Sequence, residues 1–233
     1  MTKRGERWRT LAADLRAAKL SLVLVGLMVL IHALVFYPFH GDEIPVGSEW
    51  IFESFGLSFE GLGAGKVWQL VTYTFLHGLW VHLLINALGL LLLGARVERI
   101  SGSFTLLKVF MSASLLGGLA QVLVSQDRLL VGASGGIAGI LLWLTTVSPE
   151  ARAWPIPVSA KNLGRGILIS EAGFVIASFF VPPSDIIHVA HACHLGGGIA
   201  GWLVGRRSLG PVLSREDLLE ERARREAADG PEA

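Results

Sequence analysis

The chain has 233 residues, of which 52% are hydrophobic and 17% charged, and its formal net charge is +1. A soluble domain of this size carries about a quarter charged residues, so the deficit excludes an ordinary water-soluble globule and points to lipid as the main solvent. A single cysteine, Cys193, excludes an internal disulfide and any multi-cysteine metal cluster.

Six apolar runs approach the length of a membrane crossing, about 20 residues. They cover 20–38, 81–97, 104–124, 132–147, 163–181 and 189–204. Basic residues cluster before the first (Lys3, Arg4, Arg7, Arg9, Arg16, Lys19) and after the last (Arg206, Arg207, Arg215, Arg222, Arg224, Arg225). Arg96 and Arg99 separate runs two and three, and Arg152, Lys161 and Arg165 separate four and five, whereas the alternate loops hold only Lys66 and Arg128. The positive-inside bias puts both termini in the cytoplasm, and six crossings give the even number this requires. The expected fold is an all-α membrane protein, a six-helix bundle of the cell membrane. It divides into a basic cytosolic segment (1–19), a six-span domain (20–206) and a charged cytosolic tail (207–233).

In chain order, the first run shows no small-x-small cleavage site before Pro38 and is expected to be retained as a span. The outer loop 39–66 carries Gly56, Gly61, Gly63 and Gly65 among Trp50, Phe52, Phe55 and Phe59, which suits a compact loop lying partly in the interface. His77 and Trp80 belong to that interface too. His82 and Asn86 are four residues apart and share one helix face. Polar groups inside a span are functional candidates, although interhelical hydrogen bonding is the plainer use of them. Arg96, Glu98 and Arg99 read as an inner cap with local ion pairs, and Lys108 snorkels toward the same end. Gln121 and Glu171 have no role that the residues compel. Glu171 counts roughly two turns into its span from the inner side and should face protein or water. Prolines in 148–157 break the inner loop, and Pro182-Pro183-Ser184-Asp185 makes an outer turn.

Gly132-Ala133-Ser134-Gly135-Gly136 heads the fourth run. Its small residues suit close helix packing. Topology adds a second reading, because runs two, four and six all descend from the outer side. His82, Asn86, Ser134 and His194 then lie within about two turns of the outer surface, at ~1.5 Å rise per residue. A serine hydroxyl needs a base to become a nucleophile, and histidine is the usual one. Gly197 and Gly201 follow His194 on one face and allow its helix to approach the Ser134 helix closely. His82, Asn86 and the Ser134 N–H are available oxyanion donors. A metal site of His188, His191 and His194 is disfavoured, since the outer two point about 240° apart around a helix. Cys193 points about 100° from His194 and reads as a packing residue rather than a nucleophile.

Trp68-Gln69, His82-x-x-x-Asn86, Gly94-x-x-x-Glu98, Gly132-x-Ser134-Gly135 and His194-x-x-Gly197-x-x-x-Gly201, in this order, resemble the rhomboid family of intramembrane serine proteases. The resemblance covers about 68–201. It implies a Ser134–His194 dyad without an obligatory aspartate, and His82 and Asn86 as oxyanion donors beside the Ser134 N–H. It also implies a cavity open to the outer side, and as substrates single-span membrane proteins cut in or beside their transmembrane segments. No cofactor, metal or nucleic-acid partner is implied. Two positions depart from the family pattern: Ala138 stands where an aromatic usually packs on the histidine, and Gln69 where arginine is frequent. A catalytically inactive relative that binds membrane clients is the alternative. A transporter would need polar groups continuing below Asn86 and His194, where the runs are nearly pure Leu, Gly, Ala and Ile.

Overall fold

The computed structural model describes residues 3–36, 49–153, 158–180 and 190–209. The turn at Pro182–Asp185, His188 and most of the charged tail lie outside the described residues.

Helix α1 (Lys3–Ala17) leads into α2 (Lys19–Phe36), and two short helices follow, α3 (Glu49–Phe55) and α4 (Phe59–Gly63). The single turn α5 (Gln69–Thr72) precedes α6 (Trp80–Gly89), which runs through a π-helical turn at Leu90–Gly94 into α7 (Ala95–Val124). Then come α8 (Ser134–Val147), α9 (Ala160–Ala177) and α10 (His191–Ser208). A small antiparallel pair, β1 (Arg152–Ala153) with β2 (Val158–Ser159), joins α8 to α9, and an isolated antiparallel bridge pairs Leu57 with Leu130.

Two helical stretches, Lys19–Phe36 and Trp80–Val124, are long and apolar enough to cross a membrane, and Ser134–Val147 is a shorter apolar helix. The 45-residue stretch joins the second and third apolar runs. It is not one rod, because Gly102 (φ 81°, ψ 166°) breaks it with a backbone conformation that glycine alone adopts freely. The outer surface supports a lipid environment independently. Val23 and Leu34 on α2, Ile85 on α6, Phe104 and Leu123 on α7, Ile169 on α9 and Phe180 just beyond its end are each more than 60% exposed. A water-soluble monomer does not leave apolar side chains bare on every side. The fold is therefore that of a largely helical, membrane-associated protein.

Inside, Trp143, Phe110, Met28, Leu106, Ile140 and Leu90 form the main core where α2, α6, α7 and α8 meet. Its lower edge is polar. The buried Glu98 carboxylate accepts hydrogen bonds from the Leu20 and Ser21 N–H groups (both 2.8 Å), from Ser21 Oγ (2.7 Å) and from Ser103 Oγ (2.5 Å). It thus caps the amino end of α2, where unpaired N–H groups and the helix dipole favour an anion. Asp14 of α1 pairs with Arg96 and Arg99. The expectation of purely local ion pairs is corrected here: these groups fasten α1 and α2 to the start of α7.

The segment from α3 to α5 is held by capping in the opposite sense. The last carbonyls of α3 have no helical partner. Trp68 Nε1 donates to Ser54 O (2.8 Å), Gln69 Nε2 to Glu53 O (2.9 Å) and Thr72 Oγ1 to Phe55 O (2.6 Å). Gln69, fully buried, also accepts from Ser58 N–H at 3.3 Å. Leu57 and Leu130 exchange main-chain hydrogen bonds (3.0 and 2.8 Å), which ties this loop to the segment leading into α8.

Candidate active site

Ser134 opens α8, and its position is set by the two residues before it. Gly132 has φ +112°, a left-handed conformation open mainly to glycine, and its N–H donates to Tyr73 O at 2.9 Å. Ala133 then turns the chain into the helix, with the Ile137 N–H bonded back to its carbonyl. The N–H of Ser134 belongs to the first turn, which has no acceptor within the helix.

His194 lies one turn into α10. Close approach of α8 and α10 brings its ring to the serine: a Cβ at Gly197 would fall on the Gly135 carbonyl oxygen, and one at Gly201 on that of Gly139. Across this backbone-to-backbone contact, His194 Nε2 stands 2.8 Å from Ser134 Oγ. The opposite ring nitrogen, Nδ1, lies 3.2 Å from Glu171 Oε1. Glu171 Oε2 in turn lies 2.6 Å from His191 Nδ1, and the His191 ring stacks on Phe174 with 4.4 Å between centroids.

The helix that carries Glu171 starts at Ala160 and ends at Ala177, so the residue lies nearer its carboxyl end, about three turns from its start. The structure joins it to the two histidines, which the sequence reading left unconnected. The available signal was the three-residue spacing of His191 and His194, which puts both rings on one side of α10, facing whichever helix brings a carboxylate to that depth. Glu171, His191 and His194 offer donor atoms all within 4.8 Å of one another. Three such donors match the protein contribution to a divalent site, but each is already engaged in the hydrogen bonds just described.

His82 packs its ring on the serine loop: a Cβ at Gly132 would meet His82 Nε2 and Cε1 at 2.7 Å. Asn86 is buried, donates from Nδ2 to the His82 carbonyl at 2.9 Å, and leaves Oδ1 without a partner. Among the described residues neither side chain is hydrogen-bonded to Ser134. Cys193 is buried, with its Sγ 3.7 Å from the Tyr73 hydroxyl, and its N–H donates to Gln121 Oε1 at 3.2 Å. Gln121 thereby anchors the first turn of α10. His32, passed over in the first apolar run, is buried in α2 with Nδ1 3.1 Å from the His77 carbonyl and its ring edge-on to Trp80 at 4.3 Å.

The Rhomboid domain family matches residues 64–210. Among curated proteins, the chain is 28% identical over 143 residues to "Rhomboid-related protein 2" of Mus musculus, covering 60% of this chain and 47% of that one. It is 31% identical over 140 residues to "RHOMBOID-like protein 1" of Arabidopsis thaliana (60% and 34%). It is 28% identical over 147 residues to "Rhomboid protease GlpG" of Yersinia pestis (60% and 47%). The chain spans about half the length of these relatives, or less.

Proposed function

Because the chain belongs to the rhomboid family, we propose that it is an intramembrane serine endopeptidase with Ser134 as nucleophile and His194 as base. The observation that carries this reading is the 2.8 Å approach of His194 Nε2 to Ser134 Oγ, a hydrogen-bond distance for a nucleophile and its base. In the proposed reaction Nε2 takes the hydroxyl proton as Oγ bonds to the substrate carbonyl carbon. The carbonyl π electrons move to oxygen, and the resulting oxyanion is met by the Ser134 N–H with His82 and Asn86. The oxyanion then collapses and the C–N bond breaks as the imidazolium passes its proton to the leaving amine; water, giving its proton to Nε2, next attacks the acyl carbon, and the carbon–Oγ bond breaks as that proton returns to Oγ.

Six crossings are part of the proposal. The 45-residue stretch would extend roughly 68 Å if straight, more than twice a hydrocarbon core of about 30 Å. The Gly102 break divides it into two lengths, each of bilayer size. Helices α8, α9 and α10 complete the set. Both termini are assigned to the cytoplasm and the site to the outer face of the cell membrane, from the distribution of Lys and Arg. The proposed substrates are transmembrane segments of single-span proteins, cleaved within or beside the membrane.

A second reading, a non-cleaving protein that binds membrane clients, draws on the Asn86 amide, which is turned to the His82 carbonyl. A fluorophosphonate probe separates the two. Labelling of Ser134 in the wild type, lost in Ser134→Ala and His194→Ala together with cleavage of a model single-span substrate in liposomes, is the expected result. Client binding without labelling would establish the second reading, and cleavage retained in Ser134→Ala would refute the first.

A further inference from the structure

Resting on that reading of Ser134 and His194, the geometry points to Glu171 as a positioning residue that selects the tautomer of His194. A neutral imidazole carries one proton on one of two nitrogens. Only the Nδ1–H form leaves a lone pair on Nε2 to receive the Ser134 proton. Glu171 Oε1, 3.2 Å from Nδ1, accepts from that form and is repelled by the other, whose Nδ1 presents a second lone pair.

Three further observations bear on this assignment. Both carboxylate oxygens are committed to ring nitrogens, Oε2 to His191 Nδ1 at 2.6 Å, so the carboxylate cannot rotate away without losing both. His191 is itself fixed by stacking on Phe174, three residues after Glu171 on α9, which fixes the pair from the helix that carries the acid. Position 138, one turn beyond Ser134 on α8, carries only the methyl of an alanine, so no large side chain from there holds the imidazole. The orientation comes instead from α9, through a Glu171–His191 brace. When His194 gains the serine proton, the positive ring forms between the Glu171 carboxylate and the serine oxygen, and the carboxylate offsets its charge without taking the proton.

Glutamine at 171 keeps the shape but offers one acceptor and one donor where two acceptors are used; its oxygen stays with the shorter bond, to His191 at 2.6 Å, so its N–H group faces His194 Nδ1 at 3.2 Å and His194 is the ring that must change tautomer. The test compares wild type, Glu171→Gln and Glu171→Asp in detergent. It reads the rate of Ser134 labelling by a fluorophosphonate, kcat and KM on a model substrate, and the tautomer of His194 by ¹⁵N NMR of labelled histidine. Glu171→Gln is expected to lower the labelling rate and kcat by about 10²–10⁴-fold with KM unchanged. Glu171→Asp, which retains both acceptors, recovers part of the loss. His194 is expected as Nδ1–H in the wild type and shifted toward Nε2–H in Glu171→Gln. A wild-type His194 carrying its proton on Nε2 overturns the inference even if the glutamine variant fails to fold. So does a folded Glu171→Gln that labels at the wild-type rate. If the wild type does not label at all, the proteolytic reading fails, and the tautomer measurement still decides the role of Glu171.

Discussion

The sharpest prediction concerns one methyl group placed far from the chemistry. In Gly201→Ala the new Cβ falls on the Gly139 carbonyl oxygen, and the nearest atoms are backbone, with no flexible side chain to turn aside. Helices α8 and α10 must therefore separate by about 1 Å to restore van der Waals contact. Overpacking of a well-filled interior costs about 1–3 kcal/mol, and a backbone obstacle places this case toward the upper end. The hydrogen bond between His194 and Ser134 spans the same seam two turns away, and a displacement of about 1 Å at a reacting pair costs on the order of 10²-fold in rate. The assay is the rate of fluorophosphonate labelling, measured with the melting temperature in detergent. Gly26→Ala is the control, since nothing lies within 4 Å of its added Cβ. There the same change is expected to be neutral or to stabilise by about 0.4–1 kcal/mol. If Gly201→Ala labels and melts like wild type, the seam is not what positions the histidine and the reasoning is wrong.

Two further expectations address the fastenings of the bundle. Glu98→Ala strands the buried Leu20 and Ser21 N–H groups, at about 1–3 kcal/mol each. The melting temperature should fall by roughly 5–15 °C, whereas an unchanged value would show that water replaces the carboxylate. Gln69→Ala removes the buried amide that joins Glu53 O to Ser58 N–H, and hydrogen exchange across 49–63 should accelerate while α8 and α10 stay protected. Unaltered exchange in that loop would show that Trp68 and Thr72 suffice to hold it.

The juxtaposition of Ser134 with His194 was legible in the chain because its determinants are short-range: a glycine at 132 before a helix start, and glycines three and seven residues after the histidine. What depends on helix ends was less sharp. Glu171 counts as about two turns into the apolar run 163–181, and as about three turns into α9, which starts three residues earlier and ends four residues earlier than the run. Distant partners with no such glycine signal beside them were not legible. Glu98 reads as a local cap because nothing in its neighbourhood announces Ser21, 77 residues earlier. The Asn86 amide, read as aimed at the substrate, bonds one turn back to the carbonyl of His82, an alternative inherent in the same four-residue spacing. The break in the 80–124 stretch was legible as the gap between runs 81–97 and 104–124; that Gly102 makes it, through a positive φ, only the folded backbone discloses.

The cap that Glu98 places on α2 also has a consequence for assembly during synthesis. The N–H groups of Leu20 and Ser21 leave the ribosome well before the carboxylate that receives them. At about 5–20 residues per second, the 77-residue separation from Ser21 amounts to several seconds. Until Glu98 has been made, the amino end of α2 lacks the acceptor it has in the folded protein, so the fastening of α2 to the start of α7 forms only after at least that interval.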